Sequence, residues 1–426
     1  MKRMALLTGV LTLALSFLCA GLFHSGAYAA NFAVTPPGYD DMGEILTSMG
    51  RQWEEISLED LRNSAKISGY QAIFLNCDDM EVHQDAVLNL RNFVNAGGAL
   101  YASDFAIEYV MAAFPGFITL YGPGEMMGMA GAEQIINADI TDKGLAAFLN
   151  PTSPPSKIEL DFDMGGWVVM DSVSAAVRVY LRGDVKVFTA WDGDMDFDWD
   201  GDWDDWMDQD WDENWWDEEE WEIETELITN KPLLVSFEYG KGRVIFTSFH
   251  NEPQLTALQE KLLNYLVLIP ETSSLIAQAQ SHLKGVYPGI DIDADFIGTI
   301  NPGQTTSPVS YTAPGGKDIV FSATWPGSTL KLSVFNPNGV LHGEAKGDTP
   351  PINIPVTNAA PGAWSFTVTG ESVPSDDYPY AVLAGTVTSG APIDDDDRTP
   401  DSDDPDETDI KKKSSSSSGC FIQSLH

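Results

Sequence analysis

Asp196, Asp198 and Asp200 alternate along the chain and are closed by Gly201, the spacing of the first half of a calcium loop, in which alternate carboxylates turn inward and the glycine permits a sharp bend. Asp202 and Asp204 continue the alternation, so an extended backbone here presents one face of hard oxygen ligands. The second half of the loop pattern is missing, because its twelfth position is Met207 in place of a bidentate glutamate. Indoles are interleaved with these carboxylates: Trp199, Trp203, Trp206 and Trp211 recur at spacings that a helix would gather on one side. Residues 191–226 hold eight of the twelve tryptophans, nineteen of the sixty-four acidic residues and no lysine or arginine. Either calcium orders this segment or it collects counterions as a solvated loop. Its tryptophans are either an outward platform for a carbohydrate or peptide, or an inward lid in which each ring contributes about 2–3 kcal/mol on burial.

A second set of reactive side chains is scattered along the chain: Cys77, Ser103, Asp104, His250 and Glu252. The elements that position them read as α/β between residues 43 and 270. Residues 70–76 (YQAIFLN) form a short buried strand, and residues 82–95 an amphipathic helix with Val87, Leu90 and Val94 on one face, stopped by Gly97-Gly98. Residues 99–103 (ALYAS) are the next strand and run straight into a helix over 105–113. This order predicts a parallel sheet with right-handed crossovers, whose ligands sit at the carboxyl ends of the strands. Asn76, Cys77, Asp78, Ser103 and Asp104 are therefore the candidate site. Residues 233–238 and 243–249 flank Gly240-Lys241-Gly242 as a hairpin, and residues 255–268 close the domain as a helix. The acidic tryptophan run falls between strands and is an insertion in this domain.

The formal charge of -41 and a pI near 4.1 argue against nucleic acid and anionic membrane surfaces, and favour cationic partners and divalent metals. Residues 1–30 have the Lys2-Arg3, apolar run and Ala27-Tyr28-Ala29 of a secretory signal peptide, which predicts a secreted, periplasmic or cell-surface protein. Only Cys77 and Cys420 lie beyond that leader, so no disulfide framework is expected. No second long apolar stretch exists to form a transmembrane span.

Residues 271–291 read as a connector. From 292 to 388 the pattern turns all-β: Ile319/Phe321, Leu330/Leu332/Val334 and Trp364/Phe366/Val368 alternate with polar residues around the tight turn Asn336-Pro337-Asn338-Gly339. A small antiparallel β-sandwich is expected there. Residues 389–426 form an acidic, then serine-rich tail that cannot bury enough surface to order itself.

The segment IFTSFHNEP, with His250 and Glu252, resembles the His-x-Glu motif of the class I glutamine amidotransferase-like superfamily, and Ala102-Ser103-Asp104-Phe105-Ala106 resembles its nucleophile elbow. The resemblance implies a flavodoxin-like α/β domain over residues 31–270 in which His250 is the base and Glu252 orients it. The nucleophile cysteine of that family is replaced by Asp104, which cannot form a thioester. A one-residue shift gives the alternative triad Ser103, His250 and Glu252, similar to the superfamily's serine peptidases, with Tyr101 where the strained turn needs a small residue. Cys77 stands near the family's oxyanion loop without its glycine pair.

The 292–388 region resembles the bacterial pre-peptidase C-terminal domain through Leu330-Lys331-Leu332-Ser333-Val334, the Asn-Pro-Asn-Gly turn and Pro361-Gly362-Ala363-Trp364; a fibronectin-like sandwich is the rival. The tail's serine run and Gly419-Cys420 resemble envelope-sorting signals of Gram-negative bacteria but lack the apolar helix and basic end. Taken together, these readings predict an exported, non-catalytic binding or structural protein on a degenerate amidotransferase-like domain, with Ca²⁺ as the one cofactor candidate. Its rival is an extracellular serine hydrolase.

Overall fold

The computed structural model describes residues 31–78, 81–122, 128–189 and 224–388. The signal peptide, the tail, the candidate calcium ligands Asp196, Asp198, Asp200, Asp202 and Asp204, and the tryptophans Trp199, Trp203, Trp206 and Trp211 lie outside the described residues.

The chain enters through β1 (Phe32–Val34), α1 (Met42–Ser48), β2 (Trp53–Glu55), α2 (Ser64–Ile67), β3 (Ala72–Leu75), α3 (Gln84–Ala96), β4 (Ala99–Ser103) and α4 (Ile107–Ala113). Next come β5 (Ile118–Leu120), β6 (Met129–Gly131), β7 (Gln134–Ile140), α5 (Lys143–Leu149), β8 (Lys157–Phe162), β9 (Trp167–Val168), β10 (Met170–Val173) and β11 (Val177–Phe188). The α/β part closes with β12 (Thr225–Tyr239), β13 (Gly242–Thr247) and the thirty-residue α6 (Ala257–Val286).

Eleven of these strands form one sheet, ordered β2-β1-β3-β4-β13-β12-β11-β6-β9 with β7 and β8 alongside. The first five are mutually parallel. Strands β3, β4 and β13 are buried along their whole length, as a parallel sheet covered on both faces requires. Helix α3 buries Ala86, Val87, Leu90, Phe93 and Val94 and stops at Gly97, whose φ of 124° no L side chain adopts readily. From β12 onward the sheet is antiparallel. The expected parallel sheet is thus a mixed one, because β13 is fed by a hairpin from β12 and not by a helix.

Residues 271–291, expected as a connector, are mostly the second half of α6, which runs through Pro270. The hydroxyls of Thr272 and Ser273 donate to the carbonyls of Leu268 and Ile269 beside the proline, each at 2.7 Å. Thr256 and Gln259 cap the helix reciprocally at its start.

Beyond α6 stand β14 (Ile290–Ile300), β15 (Val309–Ala313), β16 (Asp318–Thr324), β17 (Thr329–Phe335), β18 (Leu341–Gly347), β19 (Ile352–Val356), β20 (Gly362–Ser372) and β21 (Tyr378–Val387). They make two four-stranded antiparallel sheets, β14-β21-β16-β19 and β15-β20-β17-β18. Ile319, Phe321, Leu330, Leu332, Val334, Trp364, Phe366 and Val368 all enter the one apolar cluster between them. On the first sheet alternate residues face the other way: Ile297, Val320, Ala381 and Leu383 join the α/β core with Ile276, Ala279 and Leu283 of α6. The two regions therefore share buried surface and are not separated by a free linker. No helix among the described residues is long and apolar enough to cross a membrane.

A buried charge cluster pins this junction. Arg178 of β11 pairs with Asp142, the N-cap of α5, at 2.6 Å and with Asp295 of β14, while Arg243 of β13 lies 3.7 Å from Asp295. Burial opposes the charge on Asp295, but Arg178 and Arg243 outweigh it and hold its carboxyl below the usual range. Asp295→Ala leaves buried arginine charge under-compensated and is expected to cost about 3–5 kcal/mol. Because the folded pKa is depressed, the stabilisation from Asp295 is present above about pH 4 and is lost as pH falls below it. Urea unfolding should therefore show a large gap between wild type and Asp295→Asn at pH 7 that narrows toward pH 3.

Candidate functional site

Strand order reverses between β1 and β3, and the carboxyl ends of β1, β3, β4 and β13 converge beside that switch point. The loop after β1 brings Tyr39 and Asp40, the loop after β3 brings Asn76 and Cys77, β4 ends in Ser103 and Asp104, and the turn after β13 supplies His250 and Asn251.

The backbone turns at Asp104 and not at Ser103. Ser103 is extended, with φ -120° and ψ 142°, and finishes the strand. Asp104 has a φ of 41°, a left-handed conformation that is costly for a residue other than glycine, and leads into the short helical turn before α4. Its side chain is locked. The amide of Val168 in β9 donates to Oδ1 at 2.6 Å, and His250 Nε2 lies 3.1 Å from Oδ2. The Cys77 thiol reaches the same Oδ2 at 3.7 Å. Asp104 is 1% exposed and His250 8%.

The Ser103 hydroxyl is fully buried and makes no hydrogen bond, so it does not meet His250. Glu252 is exposed, one turn-residue past Asn251, and is not among the hydrogen-bond partners of His250. The triad Ser103, His250 and Glu252 is therefore not assembled here. Tyr101, two residues before Ser103, is buried with its hydroxyl 3.0 Å from Thr247 Oγ1.

Two asparagines fix the loop after β1. Asn76 Oδ1 accepts from the Met42 amide at 3.0 Å, and its Nδ2 donates to the Thr35 carbonyl at 2.9 Å. Asn251 Oδ1 accepts from the Asp41 amide at 3.0 Å, and its own amide donates to Asp40 Oδ1 at 3.1 Å. Gly38 lies so close that an added Cβ would sit 2.5 Å from the Cys77 carbonyl. Tyr39, 45% exposed, stacks on the His250 ring at 6.3 Å and meets Phe105 edge-on at 6.1 Å.

Sequence reading missed Asp40, Asn251, Tyr39 and Val168. Strand β1 is only three residues long, and the rule that ligands gather where strand order reverses would have found Asp40 only once that strand was recognised.

Burial pushes Asp40 up to about 6, against the nearby Ser103 hydroxyl, the Asn251 amide and His250; the serine makes no hydrogen bond of normal geometry with it. Burial, reinforced by the charge of Asp104, raises the Cys77 thiol and keeps it protonated. Burial opposes charge on His250, but the hydrogen bond and charge of Asp104, then Asp40 and Asp163, raise its pKa. The thiol is thus a poor nucleophile and the imidazole is held by a carboxylate. Ligand atoms of Cys77, Asp104 and His250 lie within 4.8 Å of one another, a set able to hold a metal ion.

The 190–223 segment joins two paired ends: the Thr189 amide donates to the Glu224 carbonyl at 3.0 Å, and Phe188 is in register with Thr225. Leu234 of β12 is level with Thr247, and residues 225–232 continue the β11–β12 pairing beyond the last residue of β13.

No family model matches the chain, and no curated protein matches it. Solved structures similar to it include a ThuA-like protein from Bacteroides uniformis, 11% identical over 59% of this chain and 95% of that one, with a TM-score of 0.34. Another ThuA-like protein, from Parabacteroides merdae, is 14% identical over 56% and 88%, with a TM-score of 0.34. PurLQS from Thermotoga maritima is 10% identical over 56% and 96%, with a TM-score of 0.33. Neither fold nor activity of this chain follows from likenesses of that size.

Two outcomes follow from the geometry. Gly38→Ala drives a methyl into the Cys77 carbonyl and is expected to destabilise the protein by about 1–3 kcal/mol, read from urea midpoints. Asp40, whose folded pKa is raised, binds its proton more tightly folded than unfolded. Its contribution to stability therefore grows as pH falls from about 6 to 4 and is lost as pH rises back through 6, a change of about 3 kcal/mol. In the presence of a chelator, Asp40→Asn should lack that component when unfolding is measured between pH 4 and 7.

Proposed function

We propose that this chain is an exported, non-catalytic binding protein built on an amidotransferase-like domain whose nucleophile position has become a buried aspartate. The observation that carries the reading is Asp104 in the left-handed elbow, bonded to His250 and the Val168 amide. A carboxylate there cannot carry an acyl group through a thioester, and Ser103 and Cys77 are both fully buried beside it.

The parallel half of the sheet, ordered β2-β1-β3-β4-β13, supports a flavodoxin-like domain, since it follows that fold's strand order and has its site at the β1/β3 switch. The paired four-stranded sheets support a β-sandwich of the pre-peptidase C-terminal type, an accessory to export and surface association and not to chemistry. The partner is extracellular: a carbohydrate, a peptide or a cationic surface met by the acidic, tryptophan-rich segment of residues 191–226. Calcium loading of that segment rests on the aspartate spacing alone.

Purified protein is expected to release no ammonia from glutamine or simple amides, and a fluorophosphonate probe should leave Ser103 unlabelled. Amide hydrolysis that Ser103→Ala abolishes would overturn the reading. Because eight of twelve tryptophans lie in the acidic run, millimolar Ca²⁺ is expected to change tryptophan emission; a flat titration removes calcium from the account.

A further inference from the structure

We infer that Cys77, Asp104 and His250 form a binding site for a divalent transition metal, with zinc the best-fitting ion. The three residues come from three separate strand ends, and their ligand atoms, sulfur, carboxylate oxygen and imidazole nitrogen, all lie within 4.8 Å of one another. A tetrahedral ion with bonds of about 2.0 Å to nitrogen and oxygen and about 2.3 Å to sulfur sets its ligands roughly 3.3–3.6 Å apart. The Asp104 Oδ2 to His250 Nε2 distance is 3.1 Å and the Asp104 Oδ2 to Cys77 Sγ distance is 3.7 Å. Two edges of the tetrahedron therefore need adjustments of only a few tenths of an ångström.

The donor set selects the ion. Thiolate and imidazole favour zinc or cobalt over calcium or magnesium, and one thiolate with one carboxylate neutralises a dication in a site that water barely reaches. On binding, Cys77 gives its thiol proton to solvent and a sulfur–metal bond forms, while His250 offers the Nε2 lone pair with any proton there also passing to solvent.

The surroundings are those of a metal site as well. Asp104 has one oxygen fixed by the Val168 amide, which leaves Oδ2 turned to the cluster. Asp40 repeats the arrangement: the Asn251 amide holds Oδ1, while Oδ2 is fully buried without a hydrogen-bond partner. The Ser103 hydroxyl is likewise buried and unpartnered. The two groups are close neighbours, and a polar group left unmet in a closed site costs about 1–3 kcal/mol. The stacked Tyr39 ring covers the His250 side.

The inference uses the same geometry as the functional reading but does not require the absence of catalysis. The full chain, stripped with a chelator, is titrated with Co²⁺. One equivalent should bind tightly and give a near-ultraviolet thiolate-to-cobalt charge-transfer band, which the carboxylates of the acidic run cannot produce. Cys77→Ser should lose the band and at least tenfold in affinity while keeping its circular dichroism; Cys420, which lies beyond the leader, remains as an internal control. In wild type, Zn²⁺ should raise the melting temperature, and His250→Gln should abolish that rise. A folded wild type with no thiolate band, or a Cys77→Ser variant that keeps it, overturns the inference. Amide hydrolysis by metal-free protein would overturn only the functional reading.

Discussion

One carboxylate, held in a conformation that an L residue adopts reluctantly, ties four strand ends together. Asp104 takes a hydrogen bond from the Val168 amide on one oxygen and meets His250 and Cys77 on the other. Removing it would orphan a buried amide and take from the imidazole its hydrogen-bonded carboxylate, leaving only the charges of Asp40 and Asp163, in a region where unmet polar groups each cost about 1–3 kcal/mol. The left-handed backbone at this residue, costing on the order of 1–3 kcal/mol, persists because strand β4 and helix α4 dictate it from both sides. A turn suited to presenting a nucleophile here points inward at neighbours, and the chemistry follows from that direction: a protonated thiol, a carboxylate-bound imidazole and a buried serine.

A second buried cluster does for the whole molecule what Asp104 does for the site. Arg178, Arg243, Asp142 and Asp295 connect β11, β13, the start of α5 and β14, so the C-terminal sheets are set against the α/β core by charge as well as by apolar packing. Two-sided burial explains why Val320, Ala381 and Leu383 are as apolar as their neighbours on the opposite face. Strict alternation of polar and apolar residues would have marked a free-standing sheet instead.

Much of this was legible in the sequence, and the failures have physical causes. Periodicity located α3, β4, the β12–β13 hairpin and the alternating strands after residue 292, because each buries a face with a simple repeat. It stopped α6 near Pro270, since a proline ordinarily ends a helix; here the helix runs on through the proline, with the Thr272 and Ser273 hydroxyls bonded back to the Leu268 and Ile269 carbonyls. The strand ending at Ser103 and the turn into a helix after it were legible from the apolar run and the small residues around Asp104. Asp40 and Asn251 were not, because their roles depend on a three-residue strand and on contacts more than two hundred residues apart in sequence.

The most direct test is the proton on His250 Nε2. In histidine-labelled, chelator-treated protein, a hydrogen bond to a buried carboxylate should give a slowly exchanging, downfield imidazole proton. The account requires that this signal survive Ser103→Ala and disappear in Asp104→Ala. A signal that vanishes in Ser103→Ala and survives in Asp104→Ala would put the serine in the elbow and contradict it.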